Sequence, residues 1–242
     1  MAPLEPLDIA NGILGLIFVS ITIIVGLSIV IKYFKNKNIN LLYVGIAWIF
    51  FCSGWYGTSV SFIWSFFNGG EGLPLEAILL INFIPLPIGV VSWMMAFTNF
   101  MLKKRQKLIL LSIIIYSVVF YTLFVIYLIL DVNLIADKES AVDTSSKSIE
   151  MASFIIIIIV IIMISGIAFA IKTIKIGESE TKWKGVFLLI AFPSFAIGGL
   201  LDAILPTNAS SLVILRLLLM SSAIEFYFGF ILPERIKRFL TN

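Results

Sequence analysis

Apolar residues in this chain come in long blocks separated by short polar stretches, and they do not alternate with polar positions. A helix needs about 20 mostly apolar residues to cross the hydrocarbon core of a bilayer. Seven blocks meet that length: Ile9–Ile31, Asn40–Phe67, Leu75–Leu102, Leu108–Leu130, Met151–Ile171, Gly185–Leu205 and Ser210–Leu232. The β-branched run Phe154–Ile162 would read as a buried strand in water. In lipid every backbone polar group must be satisfied within its own segment, which predicts helix there too. No dyad alternation points to a β-barrel. The expected fold is therefore an all-α integral membrane protein, one domain of seven transmembrane helices over residues 1–242. Residues 131–150 form the longest connection, rich in Ser and Asp, and read as either mobile or a small external cap. Residues 233–242 form a short basic tail.

Charge sorts by position. Lys32, Lys35 and Lys37 follow the first block; Lys103, Lys104, Arg105 and Lys107 follow the third. Lys172, Lys175, Lys182 and Lys184 follow the fifth, and Arg235, Lys237 and Arg238 lie in the tail. The opposite side holds Lys138 and Lys147, and Arg216 lies inside a block, which accounts for all 17 cations. The positive-inside rule then predicts an extracellular N-terminus and loop 131–150, and a cytoplasmic C-terminus. The first block is preceded by Glu5 and Asp8 and by no cation, and it is too long for a signal-peptide core, so it is expected to remain as the first span. Asn208-Ala209-Ser210 is a glycosylation sequon, but it sits tight against the membrane, and Asn208 reads first as the cap of the seventh helix.

The composition narrows the chemistry. Sixty per cent of residues are hydrophobic and 13% charged, against about 25% charged in an ordinary soluble domain. The net charge of +3 is then topology signal and no indication of nucleic-acid binding; its implied partners are membrane lipids, whose anionic head groups would meet the basic loops. There is no histidine and one cysteine, Cys52. That excludes His-ligated haem, His-containing zinc sites, His-based triads and an intrachain disulfide. No HExxH, GxSxG or Walker-type motif is present. No enzyme activity, cofactor or metal site is expected.

Ionisable residues inside spans are costly and mark candidate function. Four qualify: Glu76, Asp202, Arg216 and Glu225. Glu76 sits at the outer end of span three. Asp202 and Arg216 flank the turn around Pro206–Ser210 at similar depth, which reads either as an anion- or zwitterion-binding pair or as a structural clamp. Glu225 lies nine residues after Arg216, on the opposite face of span seven by helical phase, with Ser221 and Ser222 one turn earlier. It reads as a proton-handling or gating carboxylate or as a buried packing bond. Span two carries Trp48, Cys52, Trp55 and Ser59 along one helical face, beside Tyr56; such a stripe lines a pocket or packs helices. In span three, Asn82 precedes Pro85 and Pro87, and span six holds Pro193. Prolines there are expected to kink the helices and release carbonyls. Gly54, Gly57, Gly89, Gly198 and Gly199 read as points of close helix approach.

The topology is that of microbial rhodopsins, but no lysine lies inside any span, so covalent retinal is excluded. The tryptophans of span two (Trp48, Trp55, Trp64), the pair Pro85 and Pro87, and a seventh span running directly into Pro233-Glu234-Arg235-Ile236-Lys237-Arg238 resemble the seven-helix sensor region found ahead of prokaryotic histidine kinases and related signalling proteins. The resemblance covers well under half of the chain. It implies a sensor in the plasma membrane of an archaeon or bacterium. Because the chain stops at Asn242 with no output domain, it also implies a signal passed to a separate protein partner.

Three functions stay open from the residues alone. A sensor would bind a small-molecule or lipidic ligand in its outer half, at Arg216, Asp202, Trp55, Tyr56, Ser59, Asn82 and Glu76, and shift spans six and seven about Pro193. A transporter or channel would use Glu225, with Ser221 and Ser222. An accessory subunit would present the apolar faces of spans four and five to another membrane protein, or to a second copy as a homo-oligomer.

Overall fold

The computed structural model describes residues 4–177, 179–205 and 208–241. Among the described residues, ten α-helices follow one another: α1 Pro6–Asn36, α2 Ile39–Phe51, α3 Tyr56–Phe67, α4 Leu75–Phe83, α5 Pro85–Met101, α6 Gln106–Leu130, α7 Ile149–Lys175, α8 Ser179–Ile204, α9 Ala209–Phe230 and α10 Glu234–Thr241. Among the described residues, seven helical rods are long and apolar enough to cross a membrane: Pro6–Asn36, Ile39–Phe67, Leu75–Met101, Lys103–Leu130, Ile149–Lys175, Ser179–Ile204 and Ala209–Phe230. Hydropathy located each of them, as it must where lipid offers the backbone no partners. The rods alternate in direction. One end of the bundle carries the 131–148 connection (the hairpin face), and the other carries the three lysine-rich turns and α10 (the basic face).

Local chemistry sets the boundaries. Pro6 opens α1, where its missing N–H costs nothing. Lys37, at φ 53°, closes α1, and its N–H bonds the Tyr33 carbonyl. The Ser148 hydroxyl accepts from Met151 N to begin α7. Asn208 caps α9 in a reciprocal box with Ser211. Pro206 and Thr207, part of the turn expected between spans six and seven, lie outside the described residues.

Two rods are broken, and the breaks serve each other. The second passes through a 3-10 turn, Cys52–Trp55, between α2 and α3; the third breaks at Ile84, with Pro85 opening α5. Asn82 stands at the junction. Its carbonyl accepts from the Ser53 hydroxyl at 2.7 Å, and its Oδ1 accepts from Gly57 N at 2.7 Å. Tyr121 donates to the Ile84 carbonyl. Groups released by a 3-10 turn and a proline pair would be costly orphans in lipid; here each break supplies the other's partners. Span six behaves otherwise: α8 runs unbroken through Pro193.

The core is aromatic. Trp48 stacks on Phe226 at 3.8 Å, and Trp93 packs on Phe192 while donating to Ser165 Oγ at 2.7 Å. Rods one and two cross where a Cβ on Gly45 would stand 2.7 Å from the Gly26 carbonyl, so only glycine permits that approach. Gly57, Gly89 and Gly198 also lie tight against neighbours, and Gly199 makes ordinary contact with Trp55. Gly54 differs from expectation: it faces open space, because the 3-10 turn carries it away from the other rods.

The 131–148 connection is a folded cap. Strands β1 Ala136–Lys138 and β2 Thr144–Ser146 pair antiparallel, with Asp137 opposite Ser145. Buried Ile135 and Val142 hold it down. Ser61 Oγ donates to the Ala141 carbonyl at 2.6 Å and accepts from Leu73 N, while Lys138 Nζ donates to the Leu73 carbonyl. Any side chain at Gly72 would collide with Ala141, whose carbonyl oxygen would lie 1.7 Å from the new Cβ.

Candidate functional site

Near the hairpin face, α8 and α9 bring Asp202 and Arg216 together. Arg216 Nη1 donates to Asp202 Oδ2 at 2.8 Å; the arginine side chain is 5% exposed and the aspartate 21%. The same oxygen accepts from Trp55 Nε1 at 2.7 Å, and Arg216 Nη2 donates to Asn11 Oδ1 at 2.9 Å. One polar centre thus joins spans one, two, six and seven. An arginine at this depth needs such partners, because its desolvation is offset only by well-aligned opposite charge and hydrogen bonds. Arg216 Nε, by contrast, is buried with no partner among the described residues. A small void of about 30 Å³, room for a water, adjoins the pair and is lined also by Asp143 of the cap and by Ser211.

The other residues singled out from sequence divide. Trp48 and Trp55 do share an inward face, since both rings pack against Phe195. Trp48 Nε1 is buried without a partner. Ser59 donates to the Trp55 carbonyl, and Tyr56 donates to the Ile49 carbonyl at 2.6 Å, in the last turn of α2. Asn82 is occupied by the helix breaks. Glu76 is exposed in the first turn of α4. None of Tyr56, Asn82 or Glu76 bonds to the arginine centre.

Glu225 forms a second polar point, further along α9. The Ser194 and Ser221 hydroxyls lie beside its carboxyl, and its Oε2 is buried without a partner. Ser222 instead donates to the Leu219 carbonyl. Between this level and Arg216, α8 and α9 are filled by buried Phe195, Leu219 and Ala223, with the Ser222 hydroxyl turned back onto the helix. The two polar points are separated by packed hydrocarbon.

At the basic face, α10 folds back on the start of α8. Lys237 Nζ lies 2.7 Å from Glu180 Oε2, and Trp183 Nε1 donates to the Leu240 carbonyl at 2.9 Å. The Glu180 carboxylate raises the Lys237 ammonium above the ordinary lysine range. Lys32 Nζ donates to the Ile231 carbonyl, tying the end of α1 to the exit of α9.

Sequence reasoning missed Asn11 and Asp143. Asn11 had a signal, being the one amide within the first apolar block. Asp143 had none, because only the folding of the cap carries it to the void.

Seven apolar rods around a buried polar centre define a multi-pass, all-α membrane bundle. Comparisons with protein-family models, with curated proteins and with solved structures find no match to this chain.

Proposed function

We propose that this protein is a seven-helix membrane sensor, with its hairpin face outside the cell and its basic face in the cytoplasm of a prokaryote. It takes a small or lipidic ligand at the arginine centre and passes occupancy to a separate protein at the cytoplasmic face. The observation that carries this reading is Arg216: it is buried and bound to Asp202 and Asn11, its Nε has no partner among the described residues, and a small void under the cap adjoins the pair. A ligand with an anionic or carbonyl group that took one of these donors would loosen the tie between spans one, two, six and seven. Differential contact of that kind is what biases one packing over another. The packed hydrocarbon below the centre favours a site closed toward the cytoplasm over a through-path.

The test is thermal unfolding in lipid nanodiscs, with a panel of amino acids, carboxylates and lysophospholipids as probes. At least one class is expected to raise the wild-type Tm, and Arg216→Ala is expected to remove that shift. Equal stabilisation of both proteins refutes the site. A second reading rests on the unpartnered Oε2 of Glu225: a proton-coupled carrier. It requires Glu225→Gln to abolish proton-driven flux in reconstituted vesicles, and unchanged flux refutes it.

A further inference from the structure

A recess between rods four and five lies apart from the polar centre. Rods four and five touch closely through one aromatic patch, where Tyr116 packs on Phe154 at 5.0 Å and donates to its carbonyl at 2.7 Å. Around this patch α6 and α7 stand apart, leaving a lateral cleft of about 680 Å³.

Three features define what fits. The first is depth. The α6 wall runs from Ser112 to Leu123, about 16 Å at helical rise, which is about half of a ~30 Å hydrocarbon core. The cleft is about as long as one leaflet is thick. The second is width. A volume of about 680 Å³ over that length is an open groove with room for hydrocarbon chains. The third is polarity. The wall hydroxyls have partners within the chain: Ser112 donates to the Leu108 carbonyl, Ser153 to the Ile149 carbonyl and Tyr116 to Phe154. Glu150, at the hairpin-side mouth, is different. Its Oε2 accepts from Ser148, and no cation among the described residues pairs with it; nearby Lys147 is bound to Asp137.

We infer that this cleft is a binding site for a long-chain amphiphile with a protonated amine head group. The chain lies between Ile115 and Val119 of α6 and Phe154 and Ile157 of α7, and the ammonium meets the Glu150 carboxylate at the mouth. A fatty acid of the same length would place like charge against Glu150. A phosphate head group would do the same, and nearby Lys147 is already bound to Asp137. The inference is independent of the sensor reading, since the cleft would hold its lipid in a transporter or a subunit equally.

The test uses the full chain in nanodiscs with three photoactivatable probes of one chain length: a C16 amine, the matching alcohol and the matching fatty acid. The amine is expected to label the segment around Ile115–Leu123 and Phe154–Ile157 about threefold more than the alcohol, with the fatty acid weakest. Glu150→Gln should bring the amine down to the alcohol's level and leave the alcohol unchanged. Ile157→Trp, which fills the cleft from a lipid-facing position, should abolish labelling by all three. Equal labelling by amine and fatty acid, or undiminished labelling of Ile157→Trp, overturns the inference. So does a stable dimer by native mass spectrometry in which this cleft is protected from every probe, which would assign the face to a second copy. Thermal unfolding of each variant separates loss of the site from loss of the fold.

Discussion

Arg216→Ala removes a cation that holds two partners, and the structure sets the size of the loss. Asp202 Oδ2 keeps the Trp55 indole N–H, but its carboxylate, 21% exposed, loses the charge 2.8 Å away. Asn11 Oδ1, inside the bundle, loses its only donor. Breaking a buried pair from one side costs about 3–5 kcal/mol. With about 2–4 °C of Tm per kcal/mol for a chain of this size, the fall should be roughly 10 °C. Asp202→Leu leaves the arginine as a buried cation held by an amide alone, and it should cost as much. The double variant Asp202→Leu/Arg216→Met removes both charges and keeps apolar volume. Its remaining defects are the unpaired Asn11 amide and Trp55 N–H, about 1–3 kcal/mol each. The double-mutant cycle should therefore show a coupling of about 3 kcal/mol or more in favour of the pair. Tryptophan fluorescence during thermal unfolding in nanodiscs measures all three variants against wild type. Single variants that cost under 1 kcal/mol, or a double variant whose cost is the sum of the two, would show that the centre is solvated and not a buried tie.

Asn82→Leu should cost about 2–3 kcal/mol by orphaning Gly57 N while Ser53 still serves the residue-82 carbonyl; hydrogen exchange should rise at both helix breaks and nowhere on α7. Gly72→Val should unseat the cap, because its Cβ would overlap Ala141, and limited proteolysis should then cut within 136–146 in folded protein. Docking of α10 should follow the Lys237 charge. The folded-state value is raised by Glu180, so the contact is complete below the ordinary lysine range and is lost as pH rises through the raised value. Trp183 emission should report this release above pH ~10.5, and Lys237→Gln should show the released emission at every pH.

The candidate site was legible only in part, for geometric reasons. Asp202 and Arg216 lie at matched distances from one turn, so an antiparallel hairpin places them level whatever surrounds them. Trp55 and Asn11 complete the centre from two other rods, and nothing in the spacing of one rod states its rotation against another. Tyr56 and Asn82 stood out as polar residues in apolar spans and proved to serve backbone groups. A broken helix in lipid must find donors and acceptors within the protein, and these two side chains are the nearest supply. Glu225 kept its identity as an odd, half-buried carboxylate, but its neighbours Ser194 and Ser221 belong to two different rods.

By itself the sequence determined that seven segments are helices and roughly where each begins and ends. Lipid leaves a chain of this hydropathy no other way to satisfy its backbone, and that constraint acts locally. Tertiary structure alone decided the rest: which faces meet, that the 131–148 connection is a cap with Asp143 at the void, that the two broken rods repair each other, and that rods four and five stand apart around Tyr116 and Phe154. These outcomes depend on rotation and tilt of whole helices. Dozens of individually weak contacts set them jointly, and no single stretch of sequence carries enough of those contacts to announce the result.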